Sequence, residues 1–389
     1  MSVWDAIVGQ KPTVELLSRI ANDPADVAQS WLICGPAGSG RSNMARAFAA
    51  ALECPNHGCG ECATCRHVLA NTHPDVTVLA TDKVTIGIDA VRGLIETSEQ
   101  MPATAPWRII IIEDVDRMLE RTTNVLLKEI EEPAEHTIWL LCAPSAQDVL
   151  PTIRSRTRVV NLAVPSTKAV AAFLMDTVNP SLPEDRRFTE HVASRAARLA
   201  EGHIGIAKLY ATNERVMTDR DTLVVGVLNL AKASDAVLLA DHLISDANAQ
   251  AAEEIEGQVA RAQADFRRVN GLGEKDRIPP KIRGAYNALG KKEDVKRRTT
   301  RRSRDVLDRA LNSIASVYRD VAVLQNNAED AVGLINKENR TAIANLASRL
   351  TREAAIGRLE SIAVARRRLA GNGNPLLVFE ALFCALIAA

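Results

Sequence analysis

The sequence of 389 residues predicts an α/β fold, in which a parallel sheet is covered by helices on both faces, followed by a region that is helical throughout. In the first part, short apolar segments alternate with amphipathic segments, and this alternation is typical of parallel strands joined by helices. Beyond Val164, apolar residues recur almost entirely with helical spacing. Scarce aromatic residues (3%) and plentiful Ala, Leu, Arg and Glu also favour helix over strand.

Apolar runs, and the residues that end them, predict where the strands and helices of the α/β part lie. A glycine-rich turn ends the first strand, and Pro133 ends the last helix. Strands are predicted at 31–34, 76–80, 107–112 and 137–142, and helices at 42–53, 89–100 and 124–132.

The helical part contains one stretch of unusual composition, residues 253–304. It holds several glycines and prolines and ends in the basic run 291–304, so we expect long exposed helices with a mobile connection. The remaining helical segments are predicted at 221–252, 305–326 and 340–369, with a last helix after the turn at 370–375.

Charge and hydropathy restrict the class of protein. The formal net charge is zero, whereas a free-standing nucleic-acid binder usually has a basic excess. The longest apolar run, 376–389, is short and is interrupted by Glu380, and the first residues do not form a secretory signal. We therefore expect a cytoplasmic protein without membrane contact.

A glycine-rich segment follows the first strand and opens a helix. It reads Gly-Pro-Ala-Gly-Ser-Gly-Arg-Ser over residues 35–42, the pattern of a P-loop, whose backbone N–H groups and helix N-terminus bind phosphate. Arg41 stands where the motif has lysine, and its planar guanidinium replaces a compact ammonium poorly. A structural glycine turn is the alternative; whether ATP and Mg²⁺ bind stays open, and efficient hydrolysis is not expected. The candidate nucleotide-binding residues are Gly35, Gly38, Gly40, Arg41 and Ser42.

Two acidic residues, Glu113 and Asp114, follow the strand that ends at Ile112. In P-loop ATPases a carboxylate at this place organises Mg²⁺, and in AAA+ proteins the next one polarises water, in the order Asp then Glu. Here the order is inverted, so Asp114 would not reach the water and Glu113 would crowd the metal. The pair therefore indicates a degenerate nucleotide site, although capping of the following helix is an alternative.

Four of the seven cysteines, Cys54, Cys59, Cys62 and Cys65, lie within a single short segment. Four thiolates at this spacing, with glycines that permit tight turns, predict one tetrahedral structural Zn²⁺, and His57 is a candidate substitute ligand. A disulfide is the competing interpretation and is disfavoured in a reducing compartment. The other cysteines occupy apolar runs and are predicted to be buried core thiols: Cys34, Cys142 and Cys384.

Together these features resemble the clamp-loader subunits of bacterial DNA polymerase III, of the gamma/tau and delta-prime type, which are AAA+ proteins. The resemblance spans nearly the whole chain, and it includes the cysteine module after the P-loop helix. Further similar segments are Ile7-Val8-Gly9-Gln10, His73-Pro74-Asp75, the Asn-Val-Leu-Leu-Lys-Glu-Ile-Glu-Glu-Pro helix at 124–133, Ser155-Arg156-Thr157, Tyr318-Arg319-Asp320 and 372–382.

The resemblance implies a role in DNA replication and a set of partners. Clamp loaders are rings of five subunits, including gamma/tau and delta, that open the sliding clamp and place it on primed DNA. The resemblance also implies an AAA+ domain at 1–164 with a zinc module at 54–65, a helical lid at 165–220, and a helical collar at 221–389 that contains the charged insertion 253–304. In this family, Arg156 with Ser155 corresponds to the arginine that reaches a neighbour's ATP. The alternative is that Arg156 pairs with a carboxylate of its own domain, such as Glu132.

Several departures favour the delta-prime type over an ATPase subunit. These are Arg41, the inverted acidic pair, Gly205 at the place of the second sensor arginine, and Ala143-Pro144 at the place of the first sensor. An active gamma/tau-type ATPase remains the alternative. A zinc-containing DNA-binding regulator with a vestigial AAA+ domain is a second alternative, supported only by the run 291–304.

Overall fold

The computed structural model describes residues 2–23, 26–80, 85–274 and 276–387. It divides into two compact units, Met1–Glu214 and Arg215–Ala389. The three-domain division inferred from the sequence stays a prediction.

The first unit is built on a five-stranded parallel sheet. All residues of the first, third and fourth strands are buried, as expected where helices cover both faces of a sheet. The strands are β1 (Ser30–Cys34), β2 (Val76–Leu79), β3 (Arg108–Ile112), β4 (Thr137–Ala143) and β5 (Arg158–Asn161), in the order β2-β3-β4-β1-β5. The predicted α/β class is confirmed, and the sequence missed only β5, a short edge strand beside β1.

Successive residues of a strand point to opposite faces of the sheet, so the apolar strands present apolar side chains on both faces. Helices of the first unit cover both of these faces. On one face Trp31 packs edge-on against Phe48, with ring centroids 5.1 Å apart. On the other face Leu32 lies in a separate cluster with Leu126 and Ile130. The helices are α1 (Lys11–Ala21), α2 (Arg41–Glu53), α3 (Ala63–Leu69), α4 (Ile88–Ser98), α5 (Glu120–Glu131), α6 (Pro151–Arg154), α7 (Thr167–Phe173), which continues into a π-helical turn at Leu174–Val178, α8 (Glu190–Leu199) and α9 (Ile204–Thr212).

The second unit is helical. It is organised by two long helices that pack on each other and on the last helices, around a core that includes Leu311, Ile314, Phe379 and Phe383. Its helices are α10 (Glu214–Leu228), α11 (Ala233–Val269), α12 (Pro280–Leu289), α13 (Lys292–Gln325), α14 (Glu329–Val332), α15 (Arg340–Arg349), α16 (Arg352–Ala370) and α17 (Pro375–Leu386). Within the described residues, no helix combines the length and apolar composition needed to cross a bilayer.

Three local predictions need correction. The helix predicted at 124–132 begins earlier, at Glu120, and the helix predicted at 340–369 is interrupted where Thr351 caps a new helix by accepting from the Ala354 N–H. Cys384 is exposed, because it lies on the outer side of α17, while Cys34 and Cys142 are buried as predicted.

The stretch 253–304 is more regularly helical than its composition suggested. Helix α11 continues to Val269 and α13 begins at Lys292, with α12 between them. Small buried residues such as Ala247 and Ala251 allow α11 to approach α13 closely, so packing stabilises helices that propensity alone would not.

Asp320, in the Tyr318-Arg319-Asp320 segment of α13, is the centre of a buried hydrogen-bond network in the second unit. Its carboxylate is fully buried and accepts hydrogen bonds from the backbone N–H groups of Ile335 and Asn336, at 3.0 and 2.7 Å. Asn336 in turn accepts from the buried Arg220. The network therefore joins α10, α13 and the segment before α15.

Candidate functional site

The P-loop connects the carboxyl end of β1 to the first turn of α2. Gly38 and Gly40 have φ values of +80° and +93°, a region that only glycine enters without strain. The Ser39 N–H donates to the Pro36 carbonyl at 3.1 Å, so it is not free for a phosphate. The Ser39 hydroxyl is buried and has no hydrogen-bond partner in the described part of the chain. Ser42 lies in the first turn of α2.

Arg41, at the place of the usual lysine, is turned back onto its own loop. One guanidinium nitrogen donates to the Gly35 carbonyl, and the other lies 3.3 Å from Asp114 Oδ1. The side chain is only 13% exposed. Its cation is therefore already engaged by a loop carbonyl and a carboxylate, instead of being available to a nucleotide.

The acidic pair at the end of β3 is engaged by arginines as well. Arg46 Nη2 lies 2.6 Å from Glu113 Oε1, and both side chains are about one-fifth exposed. Asp114 has a left-handed backbone (φ +54°) and also meets Arg117 at 3.3 Å. Burial raises the pKa of Asp116, the next carboxyl. The two carboxylates that a metal would need thus already have cationic partners within the chain.

His203 covers the P-loop from the start of α9. A Cβ added at Gly38 would overlap the His203 ring, and the Ile204 N–H donates to the Gly38 carbonyl at 3.2 Å. Burial lowers the pKa of His203, and its Nδ1 accepts from the Ile206 N–H, so the ring is neutral and serves as a helix cap. Gly205, at the place of the second sensor arginine, contributes no charge.

The four cysteines that the sequence selected are brought together. Their Sγ atoms all lie within 4.8 Å of one another, and Cys54 Sγ is 3.7 Å from Cys59 Sγ and 3.6 Å from Cys62 Sγ. A tetrahedron with Zn–S bonds of about 2.3 Å has S···S edges of about 3.8 Å, whereas a disulfide needs about 2.05 Å. The spacing therefore fits a tetrahedral metal and not a disulfide.

Helix ends and glycine turns hold the cysteine cluster. Cys54 ends α2 and Cys62 precedes α3, while Gly58 and Gly60 have left-handed backbones (φ +92° and +77°). The His57 ring does not join the cluster, because its Nδ1 is 3.2 Å from the Ala21 carbonyl. The substitute-ligand alternative for His57 is therefore not supported by the geometry.

Electrostatics favour a cation among these sulfurs. Burial opposes ionisation of Cys54, but backbone N–H groups of Cys59, Gly58 and Asn56 lower the pKa of its thiol to about 6. Burial raises the pKa of Cys65. Four neighbouring thiolates need a positive charge between them, and Zn²⁺ would supply it with no coordination position left for catalysis.

Arg156 lies just after α6 and is held at the surface. Its Nη2 is 3.2 Å from Glu131 Oε1 and its Nη1 is 3.1 Å from the Thr152 carbonyl, while the side chain is 35% exposed. Ser155 is also exposed, and its hydroxyl donates to the Thr152 carbonyl. The expected alternative partner, Glu132, is replaced by Glu131, which occupies the last turn of α5.

Sequence reasoning missed three residues of these sites, Arg46, Arg117 and Glu131, and it also missed that His203 covers the P-loop. Arg46 lies five residues after Arg41 on α2, and its partner Glu113 is 67 residues away. The Arg117–Asp114 pair is local, with an i,i+3 spacing that the sequence shows, whereas the contacts of Arg46, Glu131 and His203 depend on how distant elements meet in space.

Comparison with known proteins gives a consistent result. A family profile described as "DNA polymerase III, delta subunit" matches residues 9–166. DNA polymerase III subunit delta' of Pseudomonas aeruginosa is 34% identical over 167 residues, which is 41% of this chain and 50% of that protein. DNA polymerase III subunit gamma/tau of Mycobacterium bovis is 32% identical over 156 residues, 39% of this chain and 27% of that protein. The matches thus span half or less of the length of these two relatives.

A solved structure with detectable similarity is a DNA polymerase III gamma subunit-related protein from Thermotoga maritima. It has a TM-score of 0.42 and 18% sequence identity, over 96% of this chain and 98% of that chain.

Proposed function

Residues 9–166 belong to the clamp-loader family of DNA polymerase III subunits, and on this premise we propose that the chain is a delta-prime-type subunit. In this role it helps other subunits load the sliding clamp onto primed DNA in the cytoplasm. It does not hydrolyse ATP efficiently, and it lends Arg156 to the ATP site of a neighbouring subunit.

The observation on which this proposal depends is the internal pairing of the nucleotide-site residues. Arg41 binds Gly35 and Asp114, Arg46 binds Glu113, and His203 lies against Gly38. Phosphoryl transfer requires a cation on the phosphates, a metal carboxylate and a positioned water at the same time. An ATP molecule entering this site would have to break several charge-assisted contacts before any of these parts became available.

The placement of Arg156 supports the second half of the proposal. A guanidinium keeps its charge and presents two donors in a plane, which suits the oxygens of a γ-phosphate. Arg156 is accessible, and Glu131 and Thr152 orient it without burying it. Its exposed ion pair contributes little to stability, so a purely structural role explains its position poorly.

The cysteine cluster has a structural role in this proposal. Cys54, Cys59, Cys62 and Cys65 would bind one Zn²⁺ through all four positions. The ion would fix the segment between α2 and α3 and would not take part in ATP chemistry.

An active gamma/tau-type ATPase is the second candidate, because the gamma/tau subunit of M. bovis matches almost as well as the delta' subunit of P. aeruginosa. This candidate requires a rearrangement that releases Arg41 from Asp114 and Arg46 from Glu113. DNA-stimulated ATP turnover by the isolated chain separates the two candidates.

The test uses the full chain alone and in a ring reconstituted with gamma/tau and delta subunits. We expect no DNA-stimulated ATPase from the chain alone, and clamp loading that requires the chain in the ring. Ser42→Ala serves as the control, because turnover that comes from this P-loop needs that hydroxyl. ATPase activity that is robust in the wild type and lost in Ser42→Ala would refute the delta-prime assignment in favour of gamma/tau.

A further inference from the structure

Helices α2 and α3 form a pair that is joined at both of its ends. At one end lies the cysteine cluster, to which the end of α2 contributes Cys54 and the start of α3 contributes Cys62 and Cys65. At the other end, Arg46 Nε of α2 donates to Asn71 Oδ1, just after α3, at 3.0 Å. The two connections are about 12 Å apart along α2, at 1.5 Å per residue, so the helices and their two connections form a closed unit.

Helix α3 is too short to keep its position by itself. It has seven residues, whereas isolated helices shorter than about 12 residues are marginal in water. Cys62 Sγ caps its first turn by accepting from the Cys65 N–H at 3.3 Å, and Val68 is buried in the core that α2 also lines. The position of α3 therefore depends in part on Cys62 and Cys65, which are residues that a metal ion would hold.

The turn after α3 places Asn71. Its backbone is left-handed (φ +56°), a conformation that asparagine tolerates better than most residues, and its N–H donates to the Val68 carbonyl at 3.1 Å. The following residue is held in the same way, because the Thr72 N–H donates to the His67 carbonyl at 2.8 Å. The amide oxygen of Asn71 therefore moves with the end of α3.

Arg46 contacts two different elements through two of its nitrogens. While Nε donates to Asn71, Nη2 lies 2.6 Å from Glu113 Oε1 at the end of β3. Both members of the Arg46–Glu113 pair are only about one-fifth exposed, so water and salt screen it less than a surface pair. Because a guanidinium is planar and rigid, the contact at Nε restricts where Nη2 can point. Loss of the Asn71 contact would therefore loosen Arg46 on Glu113.

We propose that the cysteine cluster and the Arg46–Glu113 pair stabilise each other through α3 and Asn71. A metal ion held by the cysteines keeps α3 in place, and α3 presents Asn71 to Arg46. Such coupling is reciprocal, so the contacts of Arg46 in turn strengthen metal binding. The cysteine module thereby helps to keep Glu113 paired with an arginine and unavailable to a divalent cation at the P-loop. This inference rests on the zinc site of the proposed function and is independent of the assignment to the delta-prime type.

The test measures the zinc affinity of full-length variants by competition with a chromophoric chelator. Asn71→Gly removes the amide without backbone strain, because glycine adopts a positive φ freely, and Asn71→Asp keeps an oxygen that Arg46 can bind. Arg46→Ala removes both contacts of the guanidinium. We expect Asn71→Gly and Arg46→Ala to bind zinc about fivefold more weakly than the wild type, which is the effect of about one hydrogen bond. Asn71→Asp should bind zinc as tightly as the wild type does.

Two controls exclude general effects of charge on zinc binding. Asp114→Asn removes the neighbouring carboxylate, which pairs with Arg41 and Arg117 and not with Arg46. Arg66→Ala removes an exposed cation of α3 itself. Both controls should bind zinc as the wild type does.

A double variant tests whether Arg46 and Glu113 act in series. Glu113→Gln should weaken zinc binding in the wild-type background, and it should have no further effect when Arg46 is already alanine. Thermal unfolding of the zinc-loaded variants checks that they fold. Asn71→Gly leaves the Arg46–Glu113 pair in place, so it decides the question even if Arg46→Ala does not fold.

Four results would overturn the coupling: unchanged zinc affinity in Asn71→Gly, an equal loss in Asn71→Asp, equal losses in the two controls, or an additive effect of Glu113→Gln in the Arg46→Ala background. A wild-type chain that binds no zinc would overturn it together with the metal site. None of these results affects the delta-prime assignment, which is tested by ring reconstitution.

Discussion

Replacing Arg156 by alanine should slow clamp loading while leaving the stability of the chain nearly unchanged. The guanidinium is 35% exposed and its partner Glu131 is 56% exposed, so losing their ion pair costs less than about 1 kcal/mol. For a unit of this size, that loss lowers Tm by no more than about 4 °C. An arginine supplied in trans, by contrast, accelerates phosphoryl transfer by about 10³ to 10⁵.

The assay compares Arg156→Ala with Arg154→Ala in reconstituted rings. Arg154 is exposed, lies in the last turn of α6 and carries the same charge, so it controls for general electrostatic effects. Stability is followed by thermal unfolding of the isolated chain, and function by DNA-dependent ATP turnover and clamp loading of the ring. ATP turnover by the ring should fall only by the fraction that the ATP site next to Arg156 contributes, because the other subunits keep their own arginines.

Glu131→Gln separates the two roles of Arg156. If Arg156 only holds its own domain, Glu131→Gln and Arg156→Ala should have similar effects, since either change removes the pair. If Arg156 acts on a neighbour's ATP, Glu131→Gln should preserve loading and Arg156→Ala should not. Normal loading by Arg156→Ala, or a Tm decrease well above 4 °C, would contradict the trans role.

The remaining predictions concern the metal, the P-loop and a buried ion pair. Freshly reduced protein should contain about one Zn per chain by metal analysis, and Cys62→Ser should release it and increase proteolysis between α2 and α3. Arg41→Lys should not produce an ATPase in a phosphate-release assay, because Arg46 still occupies Glu113. Asp75→Asn should cost about 3 to 5 kcal/mol in denaturant unfolding, because Asp75 is fully buried against Arg108 at 3.3 Å.

Each of these predictions has a contrary result. Zinc-free reduced protein would remove the metal assignment, and steady ATP turnover in Arg41→Lys would show that the carboxylate order is not limiting. For Asp75, burial opposes ionisation, but hydrogen bonds from Ala103 and Thr104 and the charge of Arg108 lower its pKa below the usual value. Ionised Asp75 therefore contributes its full stabilisation above the usual carboxyl pKa. This contribution is lost as the pH falls through the lower pKa that Asp75 has in the folded state. Asp75→Asn should remove this loss of stability at acid pH. A variant whose free energy of unfolding depends on pH as that of the wild type does would contradict this prediction.

The P-loop shows how far sequence reasoning reaches. The glycine spacing and the preceding apolar run predicted the loop between β1 and α2, and local chemistry showed that Arg41 and the inverted acidic pair are unusual. That Arg41 turns back to Gly35, and that His203 covers Gly38, could not be read from the sequence. These contacts join residues up to 165 positions apart, and their geometry depends on the packing of whole elements.

The sequence by itself determined the alternation of strands and helices, because burial on both faces requires continuous apolar strands. It also determined the cysteine cluster, since the four ligands are so close in the chain that local turns suffice to bring them together. Only the tertiary structure decided the pairing of Arg46 with Glu113, the position of Glu131 beside Arg156 and the rotation of α13 that brings Ser303 to Asn248. Charge pairs and helix rotations arise from contacts between distant segments, and a one-dimensional pattern does not specify which of many similar side chains will meet.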